Sequence, residues 1–389
     1  MGIRSATVAV VLAASLPVVA RAPTSLKQAY KGDFYIGTAM NAAQITGEDH
    51  AGDAIITAQF NSISPENCLK WAIVHPQPGK YDFTLADQYV AFGQKHHMFI
   101  LGHNLVWHSQ VPAWVFRDDE GNLLTRDALL ARMKDHIDTV VGRYKGRIQT
   151  WDVVNEALNE DGTLRQSLWY KIIGPDYIAK AFEYAHEADP GAQLNYNDYN
   201  LENQPKLDGA IRIVKQLQAQ GIPIATVGIQ DHDNLTWPTP EQEGAAIAAF
   251  GKLGVKVAIS ELDIDVLPPA TRQQTADVSV SIAQNPKLNP WPSGLPADIQ
   301  EQLGKRYADL FGVFLQYRNV INRVTFWGVT DADSWKNDWP VRGRTNYPLL
   351  FDRTGQPKPA WNAVIQAASA QRQSAGCARV FSGRRLRAA

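Results

Sequence analysis

The chain has 389 residues, 45% of them hydrophobic, which is enough to bury a large core in one large α/β barrel or in two ordinary domains. Its 38 basic and 39 acidic side chains leave a formal net charge of −1, so charge gives no reason to expect a nucleic-acid or anionic-membrane partner. The 11 Trp and 13 Tyr exceed what an aliphatic core needs, and flat rings with one polar edge suit the faces of neutral sugar rings.

The N-terminus is predicted to be a secretory signal peptide, residues 1–22. Arg4 precedes an apolar run, 6–20, and small residues then stand at positions 20 and 22. Pro23 would follow a cut after Ala22 and is a poor residue there, so a cut after Ala20 remains open. The signal predicts a secreted or periplasmic protein. No later stretch is long and apolar enough to cross a membrane.

Eight short β-rich runs follow the signal, and helix-compatible stretches lie between them. The runs are Phe34–Thr38, Phe60–Ser64, Met98–Asn104, Thr150–Glu156, Leu194–Asp198, Ala225–Gln230, Val255–Glu261 and Arg323–Gly328. The predicted helices include Ala128–Tyr144, Tyr177–Ala188, Leu207–Gln220, Glu241–Leu253 and Ala297–Tyr317. Eight such units predict a single-domain (β/α)8 TIM barrel over 26–370, because right-handed parallel crossovers close at that number. A doubly wound sheet is the alternative, but no glycine-rich dinucleotide fingerprint follows the first run.

Two segments stand apart from this alternation. The connection from Leu262 to about Asn322 is the longest, and prolines at 268–269 and 290–292 break it into loop before its helix. Long loops at the C-terminal rim of a barrel usually shape a substrate site. The segment 371–389 is basic and rich in Gln, Ser, Ala and Arg, so it is predicted to be a disordered tail, with a functional basic tail as the minority interpretation.

The cysteines and histidines give no sign of a metal or cofactor site. Cys68 and Cys377 are the only cysteines, and no disulfide between them is expected although export would permit one. Neither CxxC nor HExxH occurs. His103 and His108 are five positions apart, beyond the spacing of a helical ligand pair. We therefore expect no metal and no cofactor.

Polar or aromatic side chains stand at the ends of seven of the eight runs, where the chemistry of a barrel takes place. They include Glu66-Asn67, His103-Asn104, Asn155-Glu156, Asn197–Asn200, Gln230-Asp231-His232, Glu261 with Asp263, and Trp327. Hydrolysis of a glycosidic bond needs an acid for the leaving oxygen and a second carboxylate at the sugar. Glu156 and Glu261, on the fourth and seventh runs, are the predicted pair. Because they share a site, one can stay protonated while the other is ionised.

Six sequence blocks surround these residues in a specific order. They are FNSISPENCLKW at 60–71, GHNLVWHSQVPAW at 102–114, WDVVNE at 151–156, NDYN at 197–200, ISELDI at 259–264 and WGVTD at 327–331. With these blocks the chain resembles glycoside hydrolase family 10, the xylanase family, from about Leu26 to Ala367. The resemblance implies an endo-β-1,4-xylanase that acts on xylan and xylo-oligosaccharides with retention of configuration. We expect the protein to be a monomer. It implies that Glu156 is the acid/base and Glu261 the nucleophile.

The resemblance also implies roles for other side chains of the cleft. Those expected to hydrogen-bond the glycon sugars are Glu66, Asn67, Lys70, His103 and Asn155. Trp107 and Gln230 would line the catalytic centre, with Asn197 in support, and His232, supported by Asp263, would hold the nucleophile. Trp327 and Trp335 would form the floor and lid, and Tyr199 would face the leaving-group side.

Two features of the sequence do not fit simply with this family. Strict alternation along a strand would send Asn155 and Glu156 to opposite faces, so the resemblance requires the pleat to end between them. Asp231 stands where a small residue is common, and we expect it to place a negative charge near Glu261.

Three other functions remain open from the sequence. The chain could be another β-1,4-glycanase, such as a cellulase, because the two glutamates are shared more widely. It could be a sugar-binding barrel without catalysis, although both carboxylates argue against this. A metal-dependent hydrolase is the third.

Overall fold

The fold is a closed parallel β-barrel in the computed structural model, which describes residues 25–272 and 274–385, with side chains described up to residue 372. Its strands are β1 (Tyr35–Met40), β2 (Ser62–Pro65), β3 (Phe99–Val106), β4 (Thr150–Asn155), β5 (Gln193–Asp198), β6 (Thr226–Ile229), β7 (His232–Asn234), β8 (Lys256–Asp265) and β9 (Ile321–Phe326). Each strand from β1 to β5 pairs with the next, β9 pairs with both β1 and β8, and the β6–β8 pairing closes the ring. The eight predicted runs are the eight barrel strands, which confirms the (β/α)8 TIM barrel.

One strand was not predicted. β7 is a three-residue strand that pairs only with the outer end of β8, where His232 lies opposite Asp263. The turn between β6 and β7 passes through Asp231, whose φ of 55° is in the left-handed region. The sixth run therefore continues past its barrel strand, and this extension carries His232 to the barrel mouth.

Twelve α-helices surround the barrel in the described ranges. They are α1 (Leu26–Ala29), α2 (Ala42–Thr46), α3 (His50–Gln59), α4 (Trp71–Val74), α5 (Thr84–Lys95), α6 (Arg126–Arg143), α7 (Leu168–Ile173), α8 (Tyr177–Ala188), α9 (Gln204–Ala219), α10 (Pro240–Lys252), α11 (Ala297–Gln316) and α12 (Pro359–Arg385). Short 3-10 turns occupy Ala113–Phe116 and Pro286–Leu288. The predicted helices agree with α6, α8, α9, α10 and α11 within three residues at each end.

Local sequence sets where these helices begin. At the start of α10, Thr239 accepts a hydrogen bond from the Gln242 backbone, and the Gln242 side chain accepts one from the Thr239 backbone. This reciprocal cap satisfies two N–H groups that the helix itself leaves unpaired. Pro240 follows at the first helical position, where its missing N–H costs nothing.

The last helix, α12, runs from Pro359 to Arg385, and 386–389 lie outside the described residues. The disordered tail at 371–389 stays a prediction. Ala, Gln and Arg favour helix and no proline follows Pro359, while Gly376 and Gly383 are the residues within α12 that disfavour it. Its first part is anchored to the barrel, where Tyr30 Oη donates to the Val364 carbonyl at 2.7 Å.

Two sequence predictions fall on parts that the structure does not describe. The signal peptide, residues 1–22, lies outside the described residues, as does the side chain of Cys377. Cys68 is a buried free thiol. Within 25–272 and 274–385 there is no helix with the length and apolar character of a membrane span.

Candidate active site

A cleft lies at the C-terminal ends of the barrel strands, as expected for this fold. The side chains that line it are Glu66, Asn67, Lys70, His103, Trp107, Gln110, Asn155, Glu156, Gln230, His232, Glu261, Ala276, Val278, Trp327 and Trp335. Most of the predicted site residues are therefore brought together on one surface. Asn197, Asp263 and Tyr199 are not part of this lining, and they act from behind it or beside it.

Glu156 lies at the point where β4 stops. The strand ends at Asn155, and Glu156 has a φ of 54°, so the regular pleat is broken between the two residues. This confirms the break that the family resemblance required, and both side chains consequently face the cleft. Trp107 Nε1 donates to Glu156 Oε2 at 2.8 Å, while Gln230 Nε2 and Asn155 Nδ2 each donate to Oε1 at 3.2 Å. All three donors are neutral.

The Glu156 carboxyl is poised to hold a proton near neutral pH. Burial first, and then the negative charge of Asp198, raise its pKa to about 7, while the hydrogen bonds from Trp107 and Gln230 act in the opposite direction. Asp198 is fully buried behind the cleft and is paired with Lys206, whose Nζ lies 3.1 Å from Oδ1. A carboxyl with this pKa can give up a proton and take one back at physiological pH.

Glu261 has different neighbours. It lies within β8, where Oε1 accepts a hydrogen bond from Asn197 Nδ2 at 2.8 Å and Oε2 is 3.2 Å from His232 Nε2. Asn197 Nδ2 also donates to Asn155 Oδ1 at 2.9 Å. Asn155 in turn donates to Glu156, so two amide side chains connect the two carboxyl groups. The structure thus brings Glu156 and Glu261 into one cleft, as the sequence predicted.

Gly228 of β6 makes room for Asn197. A Cβ at position 228 would collide with Asn197 Oδ1, the atom that also accepts a hydrogen bond from Ser260 Oγ at 2.6 Å. A side chain at position 228 would therefore displace the amide that holds Glu261. Nothing in the sequence pattern distinguishes this glycine from others.

His232 holds Glu261 as a cation. Burial opposes its charged form, but Asp263 and Glu261 outweigh burial and raise the pKa of His232 to about 9. His232 Nδ1 lies 3.1 Å from Asp263 Oδ1, so the protonated ring can donate to both carboxylates. Burial disfavours the charge on Asp263 as well, but Lys336 and His232 together hold the pKa of Asp263 below its usual range.

Polar side chains of β3 and of the segment that follows β2 also line the cleft. Lys70 Nζ donates to Asn67 Oδ1 at 3.0 Å and lies 5.0 Å from the centre of the Trp107 ring. His103 Nδ1 lies 2.9 Å from Asp152 Oδ2. Burial lowers the pKa of Lys70, while the surrounding glutamates act in the opposite direction. This surface offers both donors and acceptors to sugar hydroxyl groups.

Two tryptophans border the cleft. The Trp327 ring contacts His103 edge-on with centroids 5.4 Å apart. Trp335 lies 4.8 Å from the His232 ring, stacks on Trp339 at 4.2 Å, and donates through Nε1 to Asp263 Oδ2 at 2.7 Å. Asp263 thus connects Trp335 to the residue that holds Glu261.

Tyr199 and Asp231 are placed differently from the rest. Tyr199 Oη accepts a hydrogen bond from Arg165 Nη2 at 3.0 Å, and Lys206 Nζ lies 3.4 Å from the ring centre.

Asp231 does not face Glu261 as expected. Its carboxylate lies among Glu202 and Glu243, because the left-handed turn at Asp231 directs it away from the cleft.

Sequence reasoning missed several residues of the site. Gln110, Ala276 and Val278 line the cleft, the last two from the long connection after β8. Arg165 reaches both Tyr199 and Asp277, the latter at 3.5 Å. Gln110 lies inside one of the six blocks and could have been included, but Arg165 and the loop residues carry no motif.

No metal-type cluster lies in the cleft among the residues that the structure describes. The group of carboxylates with suitable spacing is Glu202, Asp231 and Glu243, outside it.

Comparisons with known proteins agree with this geometry. The model of Glycosyl hydrolase family 10 matches residues 25–367. The chain is 44% identical over 353 residues to Endo-1,4-beta-xylanase A of Xylanibacter ruminicola, covering 90% of this chain and 96% of that protein. It is 41% identical over 344 residues to Beta-1,4-xylanase of Dictyoglomus thermophilum, covering 88% and 90%.

Solved structures give the same result. A GH10 endoxylanase retrieved from sugarcane soil metagenome superposes with a TM-score of 0.86 at 48% sequence identity. The match covers 88% of this chain and 99% of that one. The similarity therefore extends over the whole barrel.

Proposed function

The chain belongs to glycosyl hydrolase family 10, and on this premise we propose that it is an endo-1,4-β-xylanase that cleaves internal bonds of xylan with retention of configuration. Glu156 is the general acid/base and Glu261 the nucleophile. The observation that carries this assignment is the contrast between two carboxyl groups in one cleft. The Glu156 carboxyl has a pKa raised to about 7, while Glu261 is held by protonated His232.

In the first step, a Glu261 oxygen attacks the anomeric carbon of the xylose ring. The bond to the leaving oxygen breaks, and that oxygen takes the proton of Glu156. A covalent xylosyl-enzyme forms, and Glu156 is left as a carboxylate. Trp107, Gln230 and Asn155 donate to this carboxylate and stabilise it.

In the second step, Glu156 removes a proton from water while the water oxygen attacks the same carbon. Glu261 leaves as a carboxylate, and Glu156 regains its proton. Two inversions at one carbon give net retention. A retaining enzyme needs its carboxyl groups roughly 5–5.5 Å apart, without room for a water between nucleophile and sugar.

The test is the hydrolysis of defined xylo-oligosaccharides, followed by proton NMR of the first-formed product and by chromatography of product lengths. We expect the β-anomer first and cleavage at internal bonds. Glu261→Ala should abolish turnover and leave oligosaccharide binding largely intact. An α-anomer as the first product would contradict the double displacement, and normal activity in Glu261→Ala would contradict the assignment of the nucleophile.

Trp335 supports xylan over glucan as the substrate. Xylose lacks the exocyclic CH2OH of glucose, and Trp335 packs beside His232 at the edge of the cleft, where the extra group would need space. We expect arabinoxylan to be cleaved faster than carboxymethylcellulose. The opposite order would favour a cellulase.

We further propose that the enzyme is exported and monomeric. Export is supported by the signal-type sequence of residues 1–22. A monomer is supported by the exposed large hydrophobic side chains of the described residues, Tyr35, Ile73, Leu123 and Val278, which lie in different elements and form no single stretch. Mass spectrometry of the mature N-terminus should find a cut after Ala20 or Ala22, and light scattering should give the mass of one chain.

A further inference from the structure

Three buried carboxylates meet behind the barrel mouth, outside the cleft. Glu202 lies in the turn before α9, Asp231 between β6 and β7, and Glu243 in α10. One ligand-type oxygen from each lies within 4.8 Å of the others. The three residues are 5%, 1% and 0% exposed, so this is not a solvated acidic surface.

Among the residues whose side chains are described, no cationic, amide or hydroxyl side chain donates to these three carboxylates, although the Glu202 and Asp231 carboxyl groups are close enough to share a proton. Both carboxylate oxygens of Glu202, Asp231 and Glu243 are buried without a hydrogen-bond partner. Buried carboxylates cost several kcal/mol unless they are paired or hydrogen-bonded. Six such oxygens at one place therefore carry a large free-energy cost that the protein does not offset.

A fourth buried carboxylate adds further negative charge. Asp233 is fully buried, its Oδ1 also has no protein partner within the described side chains, and its charge acts on both Asp231 and Glu243. Its other oxygen, Oδ2, accepts a hydrogen bond from Arg306 Nη2 at 3.0 Å.

The neighbouring cations are already engaged. Arg306 is paired with Asp233, and its second donor, Nε, goes to the Asn234 carbonyl at 3.2 Å. Lys206 lies between Asp198 and Glu160, at 3.1 and 2.9 Å. Lys336, which is paired with Asp263 at 3.3 Å, and Lys206 act on Asp233 and Glu202 only from farther away. Arg306 is thus the one cation paired directly with any of the four described carboxylates, and their negative charge is only partly balanced.

We propose that Glu202, Asp231 and Glu243 bind a calcium ion, with Asp233 contributing charge from beside the site. Ca²⁺ takes 6–8 oxygen ligands at roughly 2.3–2.6 Å, so the oxygens around one ion lie at most about 5 Å apart, as these do. Three bidentate carboxylates would supply six. Zn²⁺ favours nitrogen and sulfur ligands, which the group lacks, and Mg²⁺ keeps several waters, which suits a buried site poorly.

The site lies next to the catalytic apparatus without being part of it. Asp231 and Asp233 flank His232, which contacts Glu261 on the cleft side. A bound ion would fix the β6–β7 turn from the outer side. It would take no part in bond cleavage.

Protons are the competing explanation for how the charge is balanced. Burial and then the neighbouring carboxylates raise the pKa of Asp231 and of Glu243 well above the ordinary values. Without a cation, these groups would take up protons and form a hydrogen-bonded set of carboxylic acids. The two explanations differ in whether the wild-type chain retains calcium.

The experiment uses the mature full-length enzyme, stripped with EDTA, dialysed at pH 7.5 and divided into samples with and without 1 mM CaCl2. We expect elemental analysis after gel filtration to find one calcium per chain in the first sample. We also expect the unfolding midpoint to rise by about 5 °C with calcium. No retained calcium and an unchanged midpoint would overturn the proposal in favour of protons.

Two matched variants locate the site. Glu243→Gln removes one ligand and should lose both the bound calcium and the calcium-dependent rise in midpoint. Glu241→Gln is its control, because Glu241 is exposed on the same helix and should behave as the wild type. Calcium retained at one per chain in Glu243→Gln would overturn the assignment to this cluster. If Glu243→Gln does not fold, the wild-type measurement still decides between calcium and protons, and Glu202→Gln, with the same expected loss of calcium, locates the site.

Discussion

The surroundings of Glu156 and of Glu261 differ although the two residues are equally buried, at 5% exposure each. Neutral donors surround Glu156, and the charge behind it is negative, from Asp198. Glu261 is held by Asn197 and by the protonated ring of His232. The sign of the nearest charges, not the depth of burial, thus separates an acid/base from a nucleophile.

Removal of Glu156 has the largest effect that this comparison predicts. We expect Glu156→Ala to lower turnover of xylan by about 10²–10⁴-fold, because both the proton donor and the base are lost. With an aryl xylobioside that has a dinitrophenolate leaving group, the variant should keep much more of the wild-type rate of the first step. The reason is that this group leaves without needing a proton. Stopped-flow release of dinitrophenolate measures this step.

Azide provides the second part of that test. It attacks the covalent intermediate without a general base, so it should restore turnover of the aryl substrate and yield a β-xylosyl azide. Glu120→Ala, at an exposed turn, is the control and should match the wild type. Equal losses on xylan and on the aryl substrate would argue against Glu156 as the acid.

The positive charge on His232 can be tested by measuring how the free energy of unfolding depends on pH. Its pKa is about 9 in the folded protein against an ordinary 6.5, so its contribution is complete below pH 6.5 and is lost as pH rises through 9. The loss amounts to about 3 kcal/mol of unfolding free energy. Urea unfolding at pH 6 and pH 10 should show it in the wild type and not in His232→Gln.

An exposed histidine gives the matched control for that series. His50→Gln, at the start of α3, should keep the pH dependence of the wild type. If His232→Gln and the wild type lose stability in parallel between pH 6 and pH 10, His232 is not the cation that holds Glu261.

Asp198→Asn gives the smallest of the three effects. The Asp198 charge raises the pKa of Glu156, so its removal should lower that pKa and move the basic limb of the kcat/KM profile to lower pH, by roughly half to one unit. Lys206 keeps Glu160 as a partner, at 2.9 Å. Circular dichroism would check the fold, and a limb that stays in place or moves upward would contradict the charge argument.

The barrel could be predicted from the sequence because alternation of strand and helix repeats many times, and one error does not change the count. Predicted α8 coincides with the observed helix at both ends. Short elements were missed because they are too short to show a repeated pattern. β7 has three residues and no periodicity of its own.

The orientation of side chains was harder to predict than their position. Alternation gives the direction of a side chain only while the strand stays pleated, and both Glu156 and Asp231 have a left-handed φ. For Glu156, resemblance to a family supplied the missing information. For Asp231 nothing did, so its carboxylate was expected beside Glu261 and lies instead with Glu202.

Long-range contacts were out of reach of the sequence. Arg165 joins Tyr199 to Asp277 across more than a hundred positions of chain, and no spacing rule links residues so distant. Asp198 stands in a recognised block, but its effect on Glu156 depends on burial and distance. Such effects can be read only from the folded molecule.

Gly228 shows how a residue that no substrate touches can still limit what the enzyme tolerates. The position has an ordinary backbone conformation, so a search for stabilising replacements would rank Gly228→Ala among the safe ones. The added methyl group would nevertheless push against the Asn197 amide and, through it, loosen Glu261. Variants made to raise the thermal stability of this barrel should therefore be assayed for turnover as well as for melting temperature.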